Sequence, residues 1–209
     1  MSPATVTELG QRTGLRQPNI SNHLARLRAQ RLVRVTRRGR LKEYHLASAT
    51  VAQFVEAISV LAGPARAAGR ALLRDARTCY DHLAGRLGVE LLDVLMTTRA
   101  LRNDSRAEGL LQFGPNASYV FSALGVDIDR LPPSRRRLAH RCLDWTERRD
   151  HLGGSLGASV AEALLEQGLV VRRRGATRAL DVAPSAWLKI DSLRGKASAM
   201  SIHRSGKRR

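Results

Sequence analysis

The apolar positions of the first sixty residues change their spacing from helical to strand-like and back. Thr5 stands three residues before Glu8, the spacing at which each side chain satisfies an orphan amide at a helix start. Gly14 closes that helix, because a left-handed turn residue is least costly as glycine. Pro18 falls in the first turn of a second helix, where its missing amide does no harm. Ile20, Leu24 and Leu27 follow at spacings of four and three, so all three are expected to face inward. The period then drops to two: Leu32 to Thr36 alternates, Arg37, Arg38, Gly39 and Arg40 make a basic turn, and Leu41 to Leu46 returns as a second strand. From Thr50 to Ala62 a helical stripe reappears in Val51, Phe54, Val55, Ile58 and Leu61, and such a stripe needs a partner surface. Gly63-Pro64 breaks it, and Ala65 to Leu73 reads as a further helix, with Gly63 to Arg70 as the linker region.

Two short helices, a tight turn and a basic hairpin make a winged helix-turn-helix, which predicts binding to double-stranded DNA. The polar face of the second helix presents Gln17, Asn19, Ser21 and Asn22, whose side chains suit base edges. His23 and Arg26, with Arg37, Arg38, Arg40 and Lys42 of the wing, are expected to contact the DNA backbone. The segments Glu8-Leu9, QPNISNHLARLRAQRLV and GRLKEYHL, and the step Ser21, His23, Leu24, Leu27 within them, resemble the DNA-binding core of the ArsR/SmtB family of winged-helix repressors. The resemblance implies a homodimer that represses transcription, with terminal helices at the dimer interface. It also implies a helix before the first one seen here, which this sequence does not contain. The paired cysteines that metal-sensing members carry in the first helix of the motif are missing from Thr7 to Arg12.

Charge sharpens this picture. The chain has 36 Lys plus Arg against 18 Asp plus Glu, and residues 1 to 45 alone hold ten basic and two acidic residues. Arg194 to Arg209 adds six basic residues and no acidic one, which leaves the long middle nearly balanced. A positive patch that coincides with a recognition helix and wing is the footprint of a polyanion partner. An aromatic content of 4% argues against single-strand binding by base stacking.

The second half carries a weak repeat. Asp81-His-Leu-Ala-Gly-Arg-Leu-Gly88 and Asp150-His-Leu-Gly-Gly-Ser-Leu-Gly157 share the pattern DHLxGxLG at an offset of 69 residues, and an apolar helix follows each. In the second copy LVVRRRG and TRALDVA frame a turn at Gly175, and SAWLKIDSL closes as a helix. The expected architecture is therefore mainly α with small β-hairpins. A winged helix-turn-helix at 1–49 leads through dimerisation and linker helices at 50–75. An effector or assembly domain of two degenerate winged-helix-like units, each read as helix, helix, hairpin, helix, occupies 76–194, and a disordered basic tail follows at 195–209. Residues Ala76 to Leu193 resemble the C-terminal extension of some ArsR-type regulators.

Candidate chemistry in this half is sparse. Cys79 and His82, three apart, would share a helix face, and Cys142 and His151 supply a second pair, so the four make a speculative sensor with a Cys2His2 donor set. Against it stands the reading that the thiols are small buried hydrophobes and the histidines pack the repeat turns. No metal and no cofactor is assigned. Asp144, Trp145, Glu147 and Arg148 outline a third possibility, a pocket for an unknown organic effector. The half lacks a Gly-rich phosphate loop, a nucleophile elbow and an HExxH helix, so an enzyme is not expected. Neither a membrane span nor a signal peptide is expected, so the protein is expected to be cytoplasmic. A DNA-binding protein without sequence preference is the alternative to a regulator.

Overall fold

A computed structural model describes residues 3–61, 73–134, 136–173 and 178–205. The capping box starts α1 (Val6–Thr13): the Glu8 amide donates to Thr5 Oγ1 at 3.3 Å and the Thr5 amide to the Glu8 carboxylate at 2.7 Å. Gly14 ends it at φ 71°. α2 (Gln17–Ala29) carries Pro18 in its first turn and buries Ile20 and Leu24. Leu27, expected to face inward as well, is 37% exposed; α1 has eight residues and covers too little surface to bury a third turn. The wing is β1 (Val33–Arg38) paired with β2 (Leu41–Leu46), turning through Gly39 at φ 62°. Ala4 adds a one-residue third strand by exchanging backbone hydrogen bonds with Tyr44 at 3.1 and 2.8 Å.

The next helix, α3 (Ala49–Leu61), lies where its stripe predicted, and part of that stripe is uncovered. Phe54 and Ile58 are 62% and 47% exposed, whereas Ala52 and Glu56 are buried. α3 packs on β2 of the wing and on a strand of the second half, through a face that holds a carboxylate. The linker helix expected at Ala65 to Leu73 falls almost wholly outside the described residues.

Between Arg77 and Ser205 the order hairpin, helix, hairpin, helix occurs twice. The first pass is β3 (Arg77–Cys79), β4 (His82–Ala84), α4 (Arg86–Thr97), β5 (Leu101–Asn103), β6 (Leu111–Phe113) and α5 (Ala117–Ala123). After a 3-10 turn at Ile128–Arg130 come β7 (His140–Leu143), β8 (Asp150–Gly153), α6 (Ser155–Glu166), β9 (Val170–Arg172), β10 (Leu180–Val182) and α7 (Pro184–Ser205). Each pass was expected to open with a helix, but it opens with a hairpin. Tyr80 at φ 59° and Asp81 form a two-residue turn, which suits the twist of the strands beside it. The turn between β9 and β10, expected at Gly175, is outside the described residues. The tail expected to be disordered from Gly195 is instead helical through Ser205. It continues a helix already anchored by buried Ala186, Ile190 and Leu193, and extending a helix needs no new nucleus.

The two passes interlock. α4 packs on β8, α6 packs on β4, and β4 touches β8. The hairpins also join crosswise, through bridges Arg77↔Ala179 and Leu110↔His140. One core results, with Leu87, Leu91 and Leu95 of α4 and Leu156, Val160 and Leu164 of α6 in the same buried cluster. The repeat glycines allow this approach. A Cβ on Gly88 would lie 2.6 Å from the Leu83 carbonyl oxygen, and one on Gly157 would lie 2.4 Å from that of Leu152 and 3.2 Å from His82 Cβ. We expect Gly157→Ala to lose about 2–3 kcal/mol in urea unfolding. Gly195→Ala, in open space on a helix, should gain up to about 1 kcal/mol.

Candidate nucleic-acid interface and buried cluster

In α2 the buried pair Ile20 and Leu24 fixes which side faces out. At about 100° per residue, Asn19, Asn22 and Arg26 lie roughly opposite that pair and Ser21 lies to one side, whereas Gln17, three residues before Ile20, falls in the first turn on the same side as the buried pair. All five are exposed, as are His23 and the wing residues Arg37, Arg38, Arg40 and Lys42. Arg38 makes one long ion pair with Glu43, at 3.9 Å. The residues expected to contact DNA are thus exposed, on the polar face of α2 and on the wing, apart from Gln17, which is exposed on the side of Ile20 and Leu24. Within the wing, Thr36 Oγ1 and His45 Nε2 are 2.7 Å apart across the strands, which locks the ribbon behind the basic turn.

Behind this surface runs a buried polar network that the sequence did not announce. Glu56 of α3 pairs with Arg178 and lies 3.8 Å from Arg77. Arg77 is fully buried, 3.1 Å from Asp144, and stacks 5.0 Å from the Trp145 ring centroid. Asp144 accepts the Gly85 amide at 2.7 Å and the Thr146 amide at 2.8 Å, and reaches within 3.4 Å of His151 Nδ1. Burial opposes the charge on Asp144, but His151, Arg77, Thr146 and the Gly85 amide outweigh it and hold its pKa well below the usual range. Asp144 and Trp145, two of the four residues suggested as an organic pocket, are engaged in these contacts. Gln53, also on α3, donates to His140 Nε2 at 2.5 Å. Burial pushes His140 down to about 4, with the nearby charges of His82 and Arg137 adding to the effect.

The four residues of the speculative sensor meet, though not on a helix. Cys79 pairs with His82 across the first hairpin, and Cys142 with His151 across the second. Each pair therefore projects from one face of its ribbon, and the crossed packing brings the two faces together. Cys79 Sγ is 3.9 Å from Cys142 Sγ, and His82 Nε2 is 3.1 Å from His151 Nε2. All four side chains are buried, and both thiols are free. Hydrogen bonding to Cys142 and then burial raise the Cys79 thiol to about 11. Asp81 lies 3.4 Å from His82 Nδ1 and is held by Arg136. Burial opposes its charge, yet His82 and Arg136 bring its pKa down to about 2.

Sequence reasoning missed Glu56, Arg77, Gln53 and His140. One signal was present: Glu56 is the lone charged residue of its helix, ATVAQFVEAISVL. Nothing local marked Arg77 as buried.

Residues 1–40 match the model of the MarR family. It is this family, rather than the ArsR/SmtB family suggested by the Ser21, His23, Leu24 step, whose model matches; so short a step describes a recognition helix and not a subtype. The chain is 31% identical over 190 residues, 88% of its length and 82% of the relative's, to YdfF of Bacillus subtilis (strain 168), whose name describes it as an uncharacterized HTH-type transcriptional regulator. No solved structure matches. No helix among the described residues is long and apolar enough to cross a membrane.

Glu56→Ala leaves two arginines short of a partner and should cost on the order of 3 kcal/mol in urea unfolding. His140 is neutral when folded and near 6.5 when unfolded, so its stabilisation is complete above pH 6.5 and fades as pH falls toward 4. Between pH 7.5 and pH 5 the wild type should lose about 2 kcal/mol that His140→Gln does not.

Proposed function

The chain belongs to the HTH-type transcriptional regulators, and from that premise we propose that it is a homodimeric, sequence-specific repressor. The observation that carries this reading is the exposed α2 face, with the amide side chains of Asn19 and Asn22 opposite buried Ile20 and Leu24 and beside a basic wing. In the proposed complex each α2 lies in a major groove, and the two grooves are about one helical turn apart on a pseudo-palindromic operator. Gln17, Asn19, Ser21 and Asn22 read base edges, while His23, Arg26, Arg37, Arg38, Arg40 and Lys42 hold the phosphates. Phe54 and Ile58, exposed on α3, supply the apolar part of the dimer contact. Bound at a promoter, such a dimer blocks polymerase. Residues 76–194 form the effector or assembly domain, and we read its two passes through hairpin, helix, hairpin, helix as copies of one unit.

The test is binding to the promoter upstream of the protein's own reading frame, against a scrambled duplex at fixed salt. Asn19→Ala and Asn22→Ala should weaken promoter binding more than scrambled binding. Arg38→Ala should weaken both and lower the salt slope by about one. Equal affinity of the wild type for both duplexes would mean binding by counterion release alone, and would replace the regulator with an architectural DNA-binding protein.

A further inference from the structure

We propose that Cys79, His82, Cys142 and His151 form a tetrahedral site for a zinc-class divalent ion, which clamps the two interlocked hairpins and acts through Glu56 on the DNA-reading head. The second part rests on the DNA-binding reading above.

The spacing of the donors argues for a metal. A tetrahedron with metal–sulfur bonds of about 2.3 Å and metal–nitrogen bonds of about 2.0 Å has a sulfur–sulfur edge of about 3.8 Å and a nitrogen–nitrogen edge of about 3.3 Å. The corresponding separations here are 3.9 Å and 3.1 Å, and all four donor atoms lie within 4.8 Å of one another.

The outer contacts agree. A metal-bound histidine normally gives its other ring N–H to a carboxylate, and here Asp81 and Asp144 each stand 3.4 Å from an Nδ1. With a proton on each Nδ1, the two Nε2 lone pairs face each other at 3.1 Å. That arrangement is repulsive unless a cation lies between them. A shared proton would relieve it, but would give no role to two thiols converging on the same centre. A divalent ion with two thiolates and two neutral imidazoles is electroneutral, so it adds no net charge to an interior whose Asp81, Asp144 and Glu56 are already paired with Arg136, Arg77 and Arg178. On binding, each thiol releases its proton to solvent and the sulfur lone pair forms the metal bond; no redox change is involved. A cleft of about 370 Å³ beside Gln53, Cys79, Tyr80 and His82 offers a way in.

Four protein ligands leave no open coordination position, so the site suits structure or sensing rather than catalysis. Its route to the reading head is physical: His151 to Asp144, Asp144 to Arg77, and Arg77 to Glu56 on α3.

The test uses the full chain without an affinity tag, kept reduced with a phosphine. Elemental analysis should find one zinc per chain. After chelation, added cobalt(II) should give the intense visible bands of tetrahedral cobalt together with near-ultraviolet thiolate charge transfer. Cys142→Ser should diminish the charge transfer. Reduced wild-type protein that neither retains zinc nor gives these bands would overturn the site, as would cobalt binding without charge transfer. Because wild-type protein decides the matter, the outcome does not depend on how well the variant folds.

For the coupling, promoter affinity of zinc-loaded and chelated protein should differ by at least about fivefold. Glu56→Gln should shrink that difference while keeping the cobalt spectrum. An equal affinity with and without zinc, or an undiminished difference in Glu56→Gln, would overturn the route. Failure to prefer the promoter in either state would count against the DNA reading alone, since the cobalt spectrum is read without DNA.

Discussion

Arg77 carries a guanidinium with none of its surface in water, and three groups from two separate parts of the chain make that tolerable. Glu56 comes from α3, Asp144 from the end of β7, and the Trp145 ring lies against its face. An unpaired buried cation is far more costly than any one surface contact is stabilising. The three groups are therefore held in register by a charge that cannot be left alone. Asp144 passes the constraint on, since the same carboxylate takes the Gly85 amide where α4 begins and faces His151. Through one ionic centre, the helix behind the wing, the start of a core helix and the orientation of a buried imidazole depend on each other.

The crossed packing of the second half has a related cause. Neither pass of hairpins and helices has enough apolar surface to enclose itself, because its strands are only three or four residues long. Exchanging partners solves this: α4 covers the second hairpin and α6 covers the first. The exchange demands close approach of helix to strand, which Gly88 and Gly157 permit and a side chain would block. It also leaves two cross-strand Cys and His pairs facing each other in the interior. The buried cluster is thus a by-product of how the core closes, placed where neither half alone could build it.

The two halves divide their charge accordingly. Among the described residues of the N-terminal surface the cations are exposed and the loose contact of Arg38 with Glu43 is their one ion pair, which leaves them available to a polyanion. The interior of the second half pairs its charges. α3 belongs to both, packing on the wing while placing Glu56 and Gln53 against the second half. A ligand that favours one arrangement of the interior can act on the wing through this helix to the extent that its affinity differs between the two arrangements.

Much of the first half was legible because its signals are local. A capping box, a left-handed glycine, a proline in a first turn and a change of period from four to two act within a few residues, and α1, α2, β1 and β2 form where those signals put them. The repeat was legible too, as a recurring DHLxGxLG. Its meaning was not, because a three-residue spacing of Cys79 and His82 suits one face of a helix and also the opposed positions of a two-residue hairpin. Local spacing cannot choose between these; the buried strands and the turn at Tyr80 did. The burial of Glu56 and of Arg77 was equally beyond reach, since both depend on partners supplied by distant segments. The sequence by itself determined a winged reading head and the presence of four soft or borderline ligands. Only the tertiary structure decided that those ligands meet, because Cys79 and Cys142 are 63 residues apart and only packing between the two hairpins brings them face to face.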